Sequence, residues 1–149
     1  MTAIDNDTAF KQALEALPPD DKRRIASRFV EGVLDLCDDF RVRQAVSAAG
    51  AASAAGDELG LAYQGAKAAT VESYTACGHE TEWLGQAGHF VAAASAAATQ
   101  PWAADPWRAA MCARMARTCE MIAQGAGGTH SEAERQYEAL GEMQASHSG

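Results

Sequence analysis

Two runs of alanine constrain this chain more than any other feature: AVSAAGAASAA over Ala45–Ala55 and VAAASAAAT over Val91–Thr99. Alanine enters a helix without losing side-chain entropy, so such runs favour helix. An alanine face also leaves little side chain between two helix axes, which lets them approach closely. Of the 149 residues, 35 are alanine. No stretch shows the apolar–polar alternation of a half-buried strand. The sequence therefore predicts an all-α chain whose tightest packing lies between about Arg41 and Thr99. The length suits one domain, able to bury a core without disulfides or metals.

Helical periodicity and punctuation predict seven helices. The first covers Thr8–Leu17, capped by Asp7 or Thr8 and ended by Pro18 and Pro19. The second covers Pro19–Cys37, with a stripe of Ile25, Phe29, Val33 and Leu36. Asp38 or Asp39 caps the third, Arg41–Ala55, which stops at Gly56. Asp57 opens the fourth, ending near Cys77 with Gly78 as C-cap. The fifth runs from Thr81 to before Pro101, burying Trp83, Ala87, Phe90, Val91 and Ala94. Asp105 and Pro106 start the sixth, whose stripe is Trp107, Met111, Met115, Thr118 and Ile122. After the GAGG connection (Gly125–Gly128), Thr129–Glu132 reads as a capping box for the last helix, with Ala133, Tyr137 and Leu140 inward. Short connections imply a compact antiparallel bundle or stacked helical hairpins. The expected domain is residues 1–145, with a mobile tail at 146–149.

Net charge is −8 and the pI about 4.9. An acidic surface repels nucleic-acid phosphates and anionic lipid headgroups, and suits a basic protein partner. The start, MTAIDNDTAF, lacks a basic stretch followed by an apolar one, and no window is apolar enough to span a bilayer. The expected location is the cytoplasm, where Cys37, Cys77, Cys112 and Cys119 stay reduced. Glu58, Glu72, Glu80, Glu82, Glu132, Glu134 and Glu138 are candidates for an acidic docking face made by the fourth, fifth and last helices. The basic residues Lys22, Arg23, Arg24 and Arg28, extended by Arg41 and Arg43, read as a solvated patch with local ion pairs.

Motifs for chemistry are sparse. His79-Glu80 begins a zincin-like pattern, but Trp83 stands where the second histidine belongs. Cys77, His79, Glu80 and Glu82 have no distinctive ligand spacing, and no second cluster completes a tetrahedral set. No metal, cofactor or catalytic residue is therefore assigned. His89, inside an apolar helix, reads either as a core histidine bonded to a carbonyl or as a ligand or base in an interhelical pocket. Arg114 and Arg117 lie near Cys112 and Cys119 in sequence, where they could lower a thiol pKa. Trp83, Trp102 and Trp107 cluster around the connection between the fifth and sixth helices, and Trp102 is the best candidate for exposure at an interface or pocket.

Two segments carry a family resemblance. RVRQAVSAAGAASAAGD (Arg41–Asp57) resembles an Arg-x-Arg-x-Ala-Val/Ile-x-Ala-Ala segment following an acidic turn, and AGHFVAAAS (Ala87–Ser95) resembles an Ala-Gly-His-Ala-Val-Ala segment. With an Ala-rich helix between them and an Ala/Arg-rich helix after, the order is similar to the Ala-rich, all-helical immunity proteins of bacteria, the Imm-5-like group, over about Ile25–Met121. Arg41, Arg43, Gly88 and His89 are the matching positions. The family has Trp after the Arg-x-Arg helix, where this chain has Ala51 and Ala52. It has a further His in the region where Ser95 and Trp102 stand here, and residues 125–149 are additional. The resemblance implies a non-catalytic protein that neutralises a basic toxin, such as a nuclease, by covering it with an acidic helical face. The residues alone leave two alternatives open: a small-molecule or metal-binding bundle, with or without enzymatic activity, built on His89, and a structural helical module that self-associates through alanine faces or an exposed Trp.

Overall fold

A computed structural model describes residues 4–51, 56–76, 82–125 and 127–148. Its elements are α1 (Asp7–Glu15), α2 (Pro19–Glu31), a single 3₁₀ turn (Leu34–Leu36), α3 (Phe40–Gly50), α4 (Gly56–Ala76), α5 (Trp83–Ala98), α6 (Pro106–Ala123) and α7 (Glu132–Ser148). The fold is an all-α bundle with no strand among the described residues.

Polar side chains cap the starts of α1, α3 and α6. Asn6 Oδ1 accepts the Ala9 N–H (2.9 Å), so the cap of α1 falls one residue before the expected one. Asp39 accepts the Arg41 N–H (2.9 Å) and Asp105 the Arg108 N–H (3.0 Å), as the sequence predicts. The predicted capping box of α7 does not form at Thr129. The helix begins at Glu132, whose N–H donates to the His130 ring Nδ1 (3.3 Å). Gly125 and Gly128, at φ +71° and +102°, take the left-handed backbone that ends α6 and turns the chain.

Two helices stop short because an arginine from elsewhere takes their last carbonyls. The second was expected to reach Cys37. It ends at Glu31, and Arg117 Nη2 donates to the Gly32 carbonyl (2.6 Å). The third was expected to reach Ala55. It ends at Gly50, where Arg23 Nη1 donates to the carbonyls of Ala49 (2.6 Å) and Ala51 (2.7 Å). Arg23 is only 6% exposed, so it is a buried cap and no part of a solvated patch. The expected C-cap at Gly78 and helix start at Thr81 lie outside the described residues. At the other end of the chain, α7 continues to Ser148, through most of the stretch read as a tail.

The main core is alanine and valine. Helix α5 packs most extensively on α6 and then on α4, with α2 and α3 closing its remaining sides. Ala87, Val91, Ala94 and Ala98 of α5, and Ala109, Ala113 and Ala116 of α6, are fully buried. The expected large-residue stripe of α6 is therefore not its buried face: Met115 and Ile122 are exposed, at 46% and 43%. Alanine against alanine lets the two axes close, and the resulting contact outweighs burial of the larger side chains. Trp107 and Met111 instead join a second cluster, formed by Phe10, Leu14, Ile25, Phe29 and Leu140, that seats α1 and α7 on α2 and α6. No helix among the described residues is long and apolar enough to cross a membrane.

Candidate functional site

Among the described residues, those singled out by the sequence do not gather into one pocket. His89 is half-buried, and its Nδ1 lies 3.1 Å from the Thr70 carbonyl and 3.0 Å from Ser73 Oγ. The carbonyl can only accept, so Nδ1–H is the donor, and the ring ties α5 to α4. Gly88, its neighbour, leaves room for the Leu36 carbonyl of the 3₁₀ turn, which would lie 3.3 Å from any Cβ there. Arg41 forms a bidentate pair with Asp39 (3.0 and 2.7 Å) and a second bond to Glu72. Hydrogen bonding to Arg41 holds both carboxylates below the usual carboxylate range. Arg43 is exposed. The Arg-x-Arg and Gly-His segments thus act as ties among α3, α4 and α5.

The tryptophans do not cluster. Trp83 is half-buried at the start of α5, about 24 Å of helix away from the α5–α6 connection at 1.5 Å per residue. Trp102 is 90% exposed, and Trp107 packs at a tilt against Phe10 of the second core cluster. Glu82 is exposed at the N-cap of α5, while His79 and Glu80 lie outside the described residues. Among the described residues, the cysteines are not activated either. Burial pushes the Cys112 thiol up against the opposing effect of Arg108, and burial raises Cys37 and Cys119 as well. Arg114 and Arg117 face carboxylates instead.

The glutamates proposed as one docking face fall into two groups. Helix α4, with Glu58 and Glu72, packs on α3 and α5, whereas α7 packs on α2 and α6. Glu132 is 3% exposed and engaged by Arg117 (3.5 Å) and Arg135 (3.6 Å), so it is structural. Arg117 also binds Asp35 and Glu120. Burial works against its charge, but the hydrogen bonds to Glu120 and Asp35 prevail and raise its pKa.

What remains is a groove on the outer side of α7. It encloses about 590 Å³ between the N-terminal segment and the helix, and is lined by Ile4, Asp5, Glu134, Tyr137, Glu138, Gly141, Glu142 and Ala145. Four of these are carboxylates and none is basic. Among the described residues, Glu142 pairs with a cation, Arg28 (2.7 Å), and Asp5 accepts a hydrogen bond from Asn6 (2.9 Å). The neighbouring groove between α2 and α7 differs, because Arg28 and Arg135 line it together with its glutamates. The floor of the α7 groove is held in place from below. The Tyr137 hydroxyl donates to Asp7 (2.6 Å), and Asp7 is paired in bidentate fashion with Arg114 (2.9 and 3.0 Å). That Arg114 contact, then the Tyr137 bond, depress the Asp7 pKa below 3.8. Burial and the Asp7 charge push the Tyr137 hydroxyl up. The sequence identified Glu134 and Glu138 but missed Asp5, Ile4, Gly141 and Glu142. The four-residue spacing of Glu134, Glu138 and Glu142 was a local signal. The approach of the N-terminal segment had none.

No protein-family model, no curated protein and no solved structure matches this chain. Its functional reading therefore rests on this geometry.

Proposed function

We propose that this chain is a non-catalytic protein-binding module, that its binding surface is the outer groove of α7, and that its partner is a basic protein. The observation that supports the reading is the lining of that groove: an apolar floor, four carboxylates and no cation. Such a surface attracts a cationic partner from solution and orients it, while the floor supplies area from which water is expelled. With the resemblance to bacterial immunity proteins, the reading extends to a basic toxin, such as a nuclease, neutralised by coverage of its active face. Occlusion requires no chemistry from the module itself.

The test titrates the purified full chain with proteins encoded beside its gene. One of them, carrying a basic face, is expected to bind. Its affinity should fall as added salt shortens the screening length from about 10 Å at 0.1 M to about 3 Å at 1 M. The double variant Glu134→Gln/Glu138→Gln should weaken binding by about fivefold to tenfold. If the partner is a toxin, equimolar module should abolish its activity. Absence of binding to any of these proteins, or binding indifferent to both salt and the double variant, would refute the reading.

A further inference from the structure

Gly141 lies inside α7, where glycine weakens a helix by about 1 kcal/mol relative to alanine. Among the described residues nothing requires it. Its φ is not positive, and a Cβ built there meets no atom within 4 Å. Two other helical glycines, Gly50 and Gly65, have a reason inside the fold. A Cβ at Gly50 would come within 2.9 Å of Ser27 Oγ, and one at Gly65 within 3.5 Å of the Arg41 stem. Gly56 and Gly60 are also open, but they stand in the first turns of α4, beside residues 52–55, which lie outside the described residues. Gly141, by contrast, forms the floor of the acidic groove. A glycine that no described neighbour demands fits the close approach of another chain.

The pattern around it specifies the shape of that approach. Tyr137, Gly141 and Ala145 recur at intervals of four, and so do Glu134, Glu138 and Glu142. Residues four apart form one inclined row along a helix. One row is a trough, shallow where Gly141 and Ala145 leave space, and the other is an acidic ridge. Ile4 and Asp5 make the opposite wall. A trough of this kind accepts the side-chain ridge of a second helix crossing at about 50°. An extended segment would seek unpaired backbone groups, and the middle of a helix offers none. A second copy of this chain would set carboxylates against carboxylates, at a net charge of −8 on each.

We infer that the segment of the partner seated in this groove is a basic amphipathic α-helix, with an apolar ridge laid over Gly141 and Ala145 and Lys or Arg directed at Asp5, Glu134 and Glu138. This rests on the groove being the protein-binding surface, and the test separates the two ideas. The probes are two labelled synthetic peptides of about 18 residues, long enough for four to five helical turns. One has a Leu/Ala face flanked by Lys. The other has the same charge, with two central residues replaced by proline so that it cannot be helical. Each is titrated by fluorescence anisotropy into the full chain and into Gly141→Leu, Gly141→Ala and Glu134→Gln/Glu138→Gln.

The full chain should bind the helix-forming peptide at least about tenfold more tightly than the proline peptide. Gly141→Leu should erase that preference without lowering the melting temperature. Gly141→Ala should melt higher than the parent, because it restores helix propensity, yet bind the helical peptide more weakly. It supplies the readout if the leucine variant does not fold. Equal binding of the two peptides, or an alanine variant that binds the helical peptide as well as the parent does, overturns the helical partner. If the glutamine variant still weakens both peptides in that case, the acidic docking surface stands. If it changes neither, both ideas fall.

Discussion

Replacing Arg23 by methionine should destabilise the protein by about 3–4 kcal/mol. The guanidinium is 6% exposed and makes two short bonds, to the carbonyls of Ala49 (2.6 Å) and Ala51 (2.7 Å), with a longer one to Ala48 (3.4 Å). Bonds from a charged donor contribute about 1.5–3 kcal/mol each. Methionine retains most of the stem's packing, so the loss isolates the cap. Water reaching the half-buried Ala51 recovers part of it, which brings the sum down to the figure given. The 3.6 Å pair with Asp20, whose side chain is 81% exposed, adds only tenths. At about 2–4 °C per kcal/mol for a chain of this size, the melting temperature should fall by about 6–16 °C. Arg24 is the control. Its side chain is 41% exposed, and its pair with Asp21 is 3.9 Å long, so Arg24→Met should change stability by less than about 0.5 kcal/mol. Urea denaturation followed by circular dichroism, with unchanged slope, measures both. Arg23→Lys should recover about half of the loss, because the shorter lysine stem carries its ammonium short of the place where Nη1 meets both carbonyls. If the two methionine variants unfold within about 1 kcal/mol of each other, the capping argument is wrong.

Ala94→Leu, at a fully buried position of the α5 core, should overpack it and lower stability by about 1–3 kcal/mol; an unchanged thermal midpoint would mean the helices are not closely apposed. Met115→Gln and Ile122→Gln, on the exposed side of α6, should each stay within about 0.5 kcal/mol of the parent, which a buried stripe would not allow. Because the folded pKa of Asp7 lies below 3.8, its pairing contributes fully above that value and is lost as the pH falls through the depressed one. Urea midpoints between neutral pH and about pH 3 should therefore fall more steeply for the parent than for Asp7→Asn. Screening keeps the difference near or below about 1 kcal/mol, since the Asp7 side chain is 49% exposed.

Helix starts were legible because their causes are local. Asp39, Asp105 and Pro106 act on residues within one turn of themselves, and their positions are right. Helix ends were less legible. Those at Glu31 and Gly50 are set by Arg117 and Arg23, which reach them from other helices and leave no local mark. The buried face of α6 was misread for a different reason. Periodicity weighs Trp107, Met111 and Met115 heavily and alanine lightly, although closeness of approach decides that contact. The site divides along the same line. Glu134 and Glu138 sit on one face by spacing alone, whereas Asp5 and Ile4 join them only through the packing of the second cluster. His89 and Arg41 both reach one stretch of α4, at Thr70, Glu72 and Ser73, where they act as ties, while the tryptophans stand at different helix ends.

The manner in which α7 is attached carries a consequence for its dynamics. Helices α2 to α6 are held chiefly by apolar contact, whereas α7 depends also on Arg28–Glu142, whose side chains are 40% and 56% exposed. Segments fastened by partly exposed ion pairs open at lower free energy than an apolar core does. Salt should therefore accelerate amide exchange in α7 before it affects α5. The helix that offers the groove then detaches more easily than α5. A partner seated there would protect α7 amides first, and would report its arrival as local slowing of exchange at concentrations too low to move the melting temperature.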